Sequence, residues 1–329
     1  METIGQKRYR AGQLYGWLHR RLCESWEEMS DLPLDLRKQL ENDCVLTVLR
    51  PEKILTSALD GTRKYLFRLA DGNVIESVLM RYHHGNSVCI SSQVGCRMGC
   101  RFCASTIGGR IRDLAASEML EQVYRIQKET GERVSNVVVM GTGEPLDNLD
   151  QLLRFIRILT GEEGQHISQR NITVSTCGLV EGIRRLADEK LQITLALSLH
   201  APTQEQREAL MPVAKKYPLG EVIGACRAYF EKTGRRLTFE YSLAAGENDS
   251  PEDARKLTEL LRGFPCHINL IPVNPVTERK YRQPGKDRVQ RFKKELEIGG
   301  MNVTIRREMG RDIQGACGQL RRSFLEEGC

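Results

Sequence analysis

The segment Ser87-Val88-Cys89-Ile90-Ser91-Ser92-Gln93-Val94-Gly95-Cys96-Arg97-Met98-Gly99-Cys100-Arg101-Phe102-Cys103 runs a strand-like stretch straight into three closely spaced cysteines. Val88–Ser92 predicts a strand, and a regular alternation begins with it. Further strand-like runs are Asn136–Met140, Ile172–Thr176, Ile193–Ser198, Leu237–Tyr241 and Ile268–Ile271. Helix-like runs fall between them at Ala115–Lys128, Asn148–Leu159, Val180–Glu189, Leu219–Lys232 and Pro251–Arg262. Strand and helix alternating at this interval predict parallel βαβ units, hence an α/β fold. The expected architecture is a partial (β/α)6 barrel, open on one side; a doubly wound sheet is the alternative that periodicity alone does not separate. The barrel is favoured by polar and glycine-containing residues just after the strands, at Gly141–Glu144, Ser175–Gly178, Ser198–His200 and Asn274-Pro275. Ligand sites of barrels form at those strand ends. A last helix (Val289–Ile298) and strand (Asn302–Arg306) lead into a glycine-rich segment, Gly310–Gly318.

Upstream, Leu14, Trp17, Leu18 and Leu22 recur at helical spacing. Met29–Leu40 repeats the pattern, with a capped start expected at Ser30-Asp31-Leu32-Pro33. Lys64–Leu69 and Val74–Met80 predict two strands joined by a turn at Ala70–Asn73. Four regions follow: a small helical subdomain (1–50), a β-hairpin linker (51–86), the barrel (87–300) and a terminal strand and tail (301–329).

Bulk properties narrow the class. The chain has 329 residues, 40% of them hydrophobic and 28% charged, which predicts a folded protein. Its net charge of +6 is a weak pointer to a polyanionic partner. No apolar run is long enough to cross a bilayer, and Met1–Arg10 has no apolar signal core, so a cytoplasmic protein without membrane contact is expected. Eleven cysteines, an odd number in a chain of this length, do not make a disulfide scaffold. Cys44, Cys226 and Cys266 have apolar neighbours and are expected to be buried.

Cys96, Cys100 and Cys103 are different. Three thiolates within eight residues, with Gly95 and Gly99 to curl the backbone, form a soft-metal ligand set. Zinc and iron–sulfur sites usually take four ligands. Three thiolates on a four-iron cluster leave one iron open to a chelating substrate. A zinc knuckle that borrows His200 or a distant cysteine is the rival reading.

The Cys-x3-Cys-x2-Cys pattern, with Phe102 before the last cysteine, resembles the radical SAM superfamily motif. The resemblance implies a 4Fe–4S cluster on Cys96, Cys100 and Cys103 that binds S-adenosylmethionine (SAM) and reductively cleaves it to a 5′-deoxyadenosyl radical. Gly141-Thr142-Gly143-Glu144-Pro145 is similar to the segment that holds the methionine amino group in that superfamily; a carboxylate suits an ammonium.

Four further stretches resemble the RlmN/Cfr family within that superfamily: Cys89–Cys96, Met140–Asn148, Ser198–Pro202 and Ala316–Leu320. The likeness spans about Arg8 to Arg322. It implies methylation of adenine C2 in 23S rRNA and in tRNA, with two SAM molecules per turnover. One methylates Cys317; the radical from the other takes a hydrogen from that methyl group, and the carbon radical adds to the adenine. Cys89 then resolves the thioether, leaving a Cys89–Cys317 disulfide. This suits the substrate, since adenine C2 is not nucleophilic and accepts a carbon radical where displacement from SAM fails. Glu76 matches the family's proton acceptor, although alternation alone leaves either face of its strand open to it. Gly143, Glu144, Ser175, Ser198, Leu199, His200 and Asn274 match the SAM contacts.

The resemblance also implies a monomer that takes its electron from a flavodoxin or ferredoxin. Departures from the family pattern are a late start, which shortens the first helix, and Gln314-Gly315 where Asp-Ala is usual. Expected RNA phosphate contacts are Lys7–Arg10, Arg20-Arg21, Lys215-Lys216, Arg279–Arg282, Arg306-Arg307 and Arg321-Arg322, with Thr277–Lys286 foremost. The rival within the family is the Cfr type, which methylates adenine C8; the rival from another class is a non-catalytic, zinc-stabilised RNA-binding protein.

Overall fold

A computed structural model of the chain describes residues 1, 4–274, 276, 278–313, 320, 321 and 324. Two helices open it, α1 (Tyr9–His19) and α2 (Leu34–Asp43). They close on a small core of Cys23, Met29, Leu32, Leu36 and Leu40, with Leu14, Trp17 and Trp26 against it. The capped start expected at Ser30 does not form. Pro33 precedes the first turn of α2 without a side-chain cap, and Asp31 instead accepts the indole N–H of Trp17 at 2.6 Å. Cys44, just past α2, is exposed rather than buried, because the chain leaves the helix away from the core.

This helical unit rests on the barrel's outer helices through polar contacts. The carbonyl of Leu22 accepts from Arg125 at 3.2 Å and from Lys128 at 3.3 Å. His19 meets the Tyr124 hydroxyl at 3.1 Å, and burial lowers its pKa to about 4. The unfolded chain takes up that proton near 6.5 and the folded chain only near 4. Stability contributed by neutral His19 is therefore complete above about pH 6.5 and is lost as the pH falls towards 4. At pH 5 the expected loss is about 2 kcal/mol. Urea titrations of wild type and His19→Gln at pH 7 and pH 5 check this: the wild-type loss should be larger by that amount.

Next come β1 (Arg50–Thr56), β2 (Arg63–Arg68), β3 (Val74–Tyr82) and β4 (Gly85–Cys89), paired antiparallel in sequence. The two expected strands are β2 and β3, and they belong to the main sheet. β1 escaped the sequence pattern because its residues are almost all exposed, which leaves no alternation to detect.

From β4 the sheet turns parallel. Its remaining strands are β7 (Val134–Val139), β8 (Ile172–Thr176), β9 (Thr194–Ser198), β10 (Leu237–Leu243), β11 (Cys266–Pro272) and β12 (Val303–Ile305). The complete order is β1-β2-β3-β4-β7-β8-β9-β10-β11-β12, and a separate ribbon pairs β5 (Gln93–Gly95) with β6 (Arg110–Asp113). Helices α3 (Ala116–Thr130), α4 (Leu149–Thr160), α5 (Val180–Asp188), α6 (Gln204–Leu210), α7 (Leu219–Thr233), α8 (Pro251–Leu261) and α9 (Lys286–Ile298) link the parallel strands. The sheet is a partial barrel of six β/α units, as expected; α6 was not foreseen.

Local chemistry explains the helix limits. Ser250 caps α8, its hydroxyl accepting from Asp253 N–H at 3.1 Å while the Asp253 carboxylate accepts from Ser250 N–H at 3.0 Å. Gly131 and Gly234 end α3 and α7 in left-handed conformation. Parallel strands covered by helices are buried on both faces, so Val137, Ile172, Leu195, Phe239 and Ile268 are fully enclosed. That core fixes the strand ends, and the polar residues beyond them form one mouth.

Candidate active site

The cysteine loop lies between β5 and β6, which pair across its base. Cys96 N–H donates to the Gly109 carbonyl at 3.0 Å. Gly95 has φ of +76°, and a Cβ there would sit 2.0 Å from the Gly109 oxygen, so only glycine lets the ribbon close. Cys96, Cys100 and Cys103 all face a cavity of about 490 Å³ at the mouth of the barrel. Burial pushes the Cys96 thiol up to about 12, and those of Cys100 and Cys103 are raised by the same cause. Such thiols stay protonated until a metal displaces the proton, so metal binding here would release protons. Three soft sulfur donors around a roomy cavity fit an iron–sulfur cluster.

Across from the loop, the turn after β7 presents Glu144, which is buried. Its carboxylate accepts from Cys177 N–H at 2.8 Å and from Leu146 N–H at 3.0 Å, while its own N–H donates to Gln93 Oε1 at 2.8 Å. Burial raises its pKa and these bonds oppose the rise. Gly143, at φ of +116°, presses against Ser92 and Gln93 where a side chain would clash. Ser175 and Ser198 end adjacent strands with their hydroxyls 3.3 Å apart. His200 adopts a left-handed φ of +59°. Its Nδ1 accepts from Ser242 N–H at 2.9 Å, which places the ring proton on Nε2. Phe102 stands edge-on to that ring at 4.9 Å. Burial lowers the His200 pKa to about 3, so the ring is neutral. Asn274, an exposed residue, also lines the cavity.

Cys89, at the end of β4, and Glu76, on β3, open onto the same cavity. Burial raises the Cys89 pKa, with Arg306 opposing. Glu76 is only 2% exposed and ion-pairs with Lys64, itself fully buried, at 3.3 Å. Alternation had left its face open; the fold turns it inward.

The expected site residues thus gather in one place, with two exceptions. Leu199 has its side chain in the core, while its N–H donates to the Glu240 carbonyl at 3.0 Å. Cys317 lies outside the described residues. Among the basic clusters, Arg279 turns inward, donating to the Cys103 carbonyl at 3.4 Å and to Thr106 at 3.2 Å. Lys280 pairs with Glu247 at 2.8 Å, and Arg306 and Arg307 line the cavity.

Folding also brings in residues the sequence did not single out. Cys177 is a fifth cysteine at the cavity, beside Cys89 and the three of the loop, and its N–H holds Glu144. Gln122 ties Ser91 and Ser77 together, accepting from each at 2.8 Å. Gln93 bonds Asp113 at 2.7 Å and Asp147 at 3.1 Å. A glutamine inside an apolar strand or helix was the available signal.

A partial β/α barrel with three thiols and a buried carboxylate converging on its mouth defines a radical SAM enzyme. Residues 90–258 match the model of the radical SAM superfamily, and residues 1–46 match the ribosomal RNA large subunit methyltransferase N-terminal domain. A probable dual-specificity RNA methyltransferase RlmN of Lachnospira eligens is 62% identical, over 99% of this chain and 93% of the relative. One of Lachnoclostridium phytofermentans is 57% identical, over 99% and 92%. The crystal structure of a radical SAM methyltransferase from Sphaerobacter thermophilus superposes with a TM-score of 0.92 at 46% identity, covering 97% of this chain and 94% of that one. The chain belongs to the RlmN family of radical SAM RNA methyltransferases, which work with a 4Fe–4S cluster and SAM. No helix among the described residues is long and apolar enough to cross a membrane.

Proposed function

We propose that the protein methylates C2 of adenine in 23S rRNA and in tRNA, in the cytoplasm and as a monomer, with Cys317 as methyl carrier and Cys89 as resolving thiol. The observation that carries this reading is the position of Cys89 and Glu76, which line the same cavity as the three thiols of the cysteine loop. Cys96, Cys100 and Cys103 would hold the cluster, which would supply the electron that cleaves SAM; a flavodoxin or ferredoxin is the proposed donor. Glu144, held by two backbone N–H groups, is pre-oriented for the ammonium of SAM. Gly143, whose conformation and close packing on Ser92 and Gln93 only glycine allows, sets the turn that presents Glu144 and is assigned to the same contact. Ser175, Ser198, the His200 Nε2–H, Asn274 and the backbone at Leu199 are assigned to the rest of the cofactor.

Two SAM molecules serve each turnover. Cys317 takes a methyl group from the first by displacement, and S-adenosylhomocysteine leaves. A hydrogen atom would then pass from that methyl group to the 5′-deoxyadenosyl radical that bound SAM supplies, and the carbon radical would add to adenine C2. The adduct would return one electron to the oxidised cluster and lose its C2 proton to Glu76, leaving a closed-shell thioether. Attack of Cys89 on the Cys317 sulfur makes a disulfide and expels the carbon with the bonding pair, which takes a proton to become methyl. The disulfide must then be reduced by two electrons before the next cycle. Residues 1–50 are assigned to RNA docking, 51–86 to the linking β-region, 87–300 to the barrel and 301–329 to the segment that delivers Cys317.

The test is chemical. RNA from cells with and without the gene is digested to nucleosides and resolved by mass spectrometry. Loss of 2-methyladenosine from both rRNA and tRNA in the deletion is the expected result. Loss of 8-methyladenosine instead would overturn it in favour of C8 chemistry.

A further inference from the structure

One buried charge beside the cysteine loop takes no part in the chemistry above. Arg207, on α6, has no exposed surface. Its Nη2 donates to the Cys177 carbonyl at 2.6 Å and its Nη1 to the Tyr217 carbonyl at 3.4 Å. Its Nε meets no acceptor and its guanidinium no carboxylate among the described residues. A guanidinium taken out of water without an anion is expensive, and interior cations are normally paired. The groups within its electrostatic reach are the thiols of Cys100, Cys177 and Cys226 and the neutral ring of His200. Its position relative to the loop is fixed, since Arg101 N–H donates to the Leu210 carbonyl at 2.9 Å and Pro212 packs against Gly99.

We propose that Arg207 is the buried counter-charge of the 4Fe–4S cluster, a positioning residue behind Cys100 that raises the cluster's reduction potential. Three ionised thiolates outweigh the charge of an oxidised cluster core, so the loaded site is already anionic. One-electron reduction adds a further negative charge, and a cation fixed in a dry interior favours that more anionic state. The other arginine at the loop, Arg279, is half-buried and screened by water, so it contributes less. The role of Arg207 rests on the cluster and not on which adenine carbon is methylated.

The experiment is an anaerobic redox titration of reconstituted protein without RNA, followed by the spin signal of the reduced cluster. Wild type is compared with Arg207→Lys, Arg207→Gln and Arg207→Met. At a fixed potential the two neutral variants should show a reduced-to-oxidised ratio roughly tenfold lower than wild type, from loss of one nearby charge. For a one-electron couple that is a shift of about 59 mV to more negative potential. Arg207→Lys should stay close to wild type, which a merely structural strut would not produce. Should the neutral variants fail to assemble four irons while Arg207→Lys does, charge is again the requirement. Unchanged midpoints in Arg207→Gln or Arg207→Met, or loss of the cluster from all three variants alike, would overturn the proposal. A wild-type protein that assembles no cluster would be seen before any variant is compared, so that failure is distinct.

Discussion

Cys89→Ala is expected to stop after one covalent event, leaving the enzyme joined to its RNA. In the proposed sequence Cys89 acts last, so its removal spares methylation of Cys317 and radical addition to the base. What is lost is the attack that releases the product. The thioether between Cys317 and adenine should then accumulate to no more than one per enzyme. A denaturing gel would show a slow band that disappears on ribonuclease treatment, and methylated free RNA would be absent. Cys317→Ala, which removes the carrier, should give neither adduct nor product. The structure gives the Cys89 thiol a guarded character: it is buried, burial raises its pKa, and Arg306 is the largest influence favouring its thiolate. A thiol of this kind stays protonated while the radical chemistry proceeds and attacks once a proton acceptor is in reach. Multiple turnover by Cys89→Ala would remove this residue from the mechanism.

The second large effect concerns stability. Lys64 on β2 and Glu76 on β3 form an ion pair with exposures of 0% and 2%. Glu76 also accepts from the backbone N–H of Arg321, so one carboxylate joins the strands to the terminal segment. Leu320 strengthens that junction by packing with Leu66 and Val74. Lys64→Met would strip the cation and leave a carboxylate in the interior, and should cost about 3–5 kcal/mol. The double variant Lys64→Met/Glu76→Leu should recover most of that stability, because two apolar side chains need no charge partner. It should stay inactive through loss of Glu76. Urea unfolding of the anaerobic apoprotein measures all three proteins. A Lys64→Met variant as stable as wild type would show that the pair is not a buried one. The pair also bears on chemistry, since Glu76 raises and Lys64 lowers the pKa of neighbouring Cys89.

Most of the barrel was legible because its signals are local. Alternating strand and helix periods need only a dozen residues to be seen, and Ile172–Thr176 and Val180–Asp188 lie where the pattern puts them. The spacing of Cys96, Cys100 and Cys103 is likewise contained in one short segment. Local signals failed where a distant group competed. Ser30 and Asp31 look like a helix cap, yet Trp17 takes the Asp31 carboxylate for its indole. Cys44 looks like a core residue by its neighbours, yet the chain carries it outward.

What the sequence by itself determined is the parallel α/β plan, the thiol set and the kinship to RNA methyltransferases, because periodicity, spacing and motif are properties of neighbouring residues. What only the tertiary structure decided is which polar side chains lose their water. Lys64, Glu76 and Arg207 have the composition of surface residues and become interior charges through strands and helices far from them in the chain. Cys177 joins the cavity of the cysteine loop across a gap of more than seventy residues for the same reason. Burial is a sum over contacts between distant segments, and no window of sequence contains that sum.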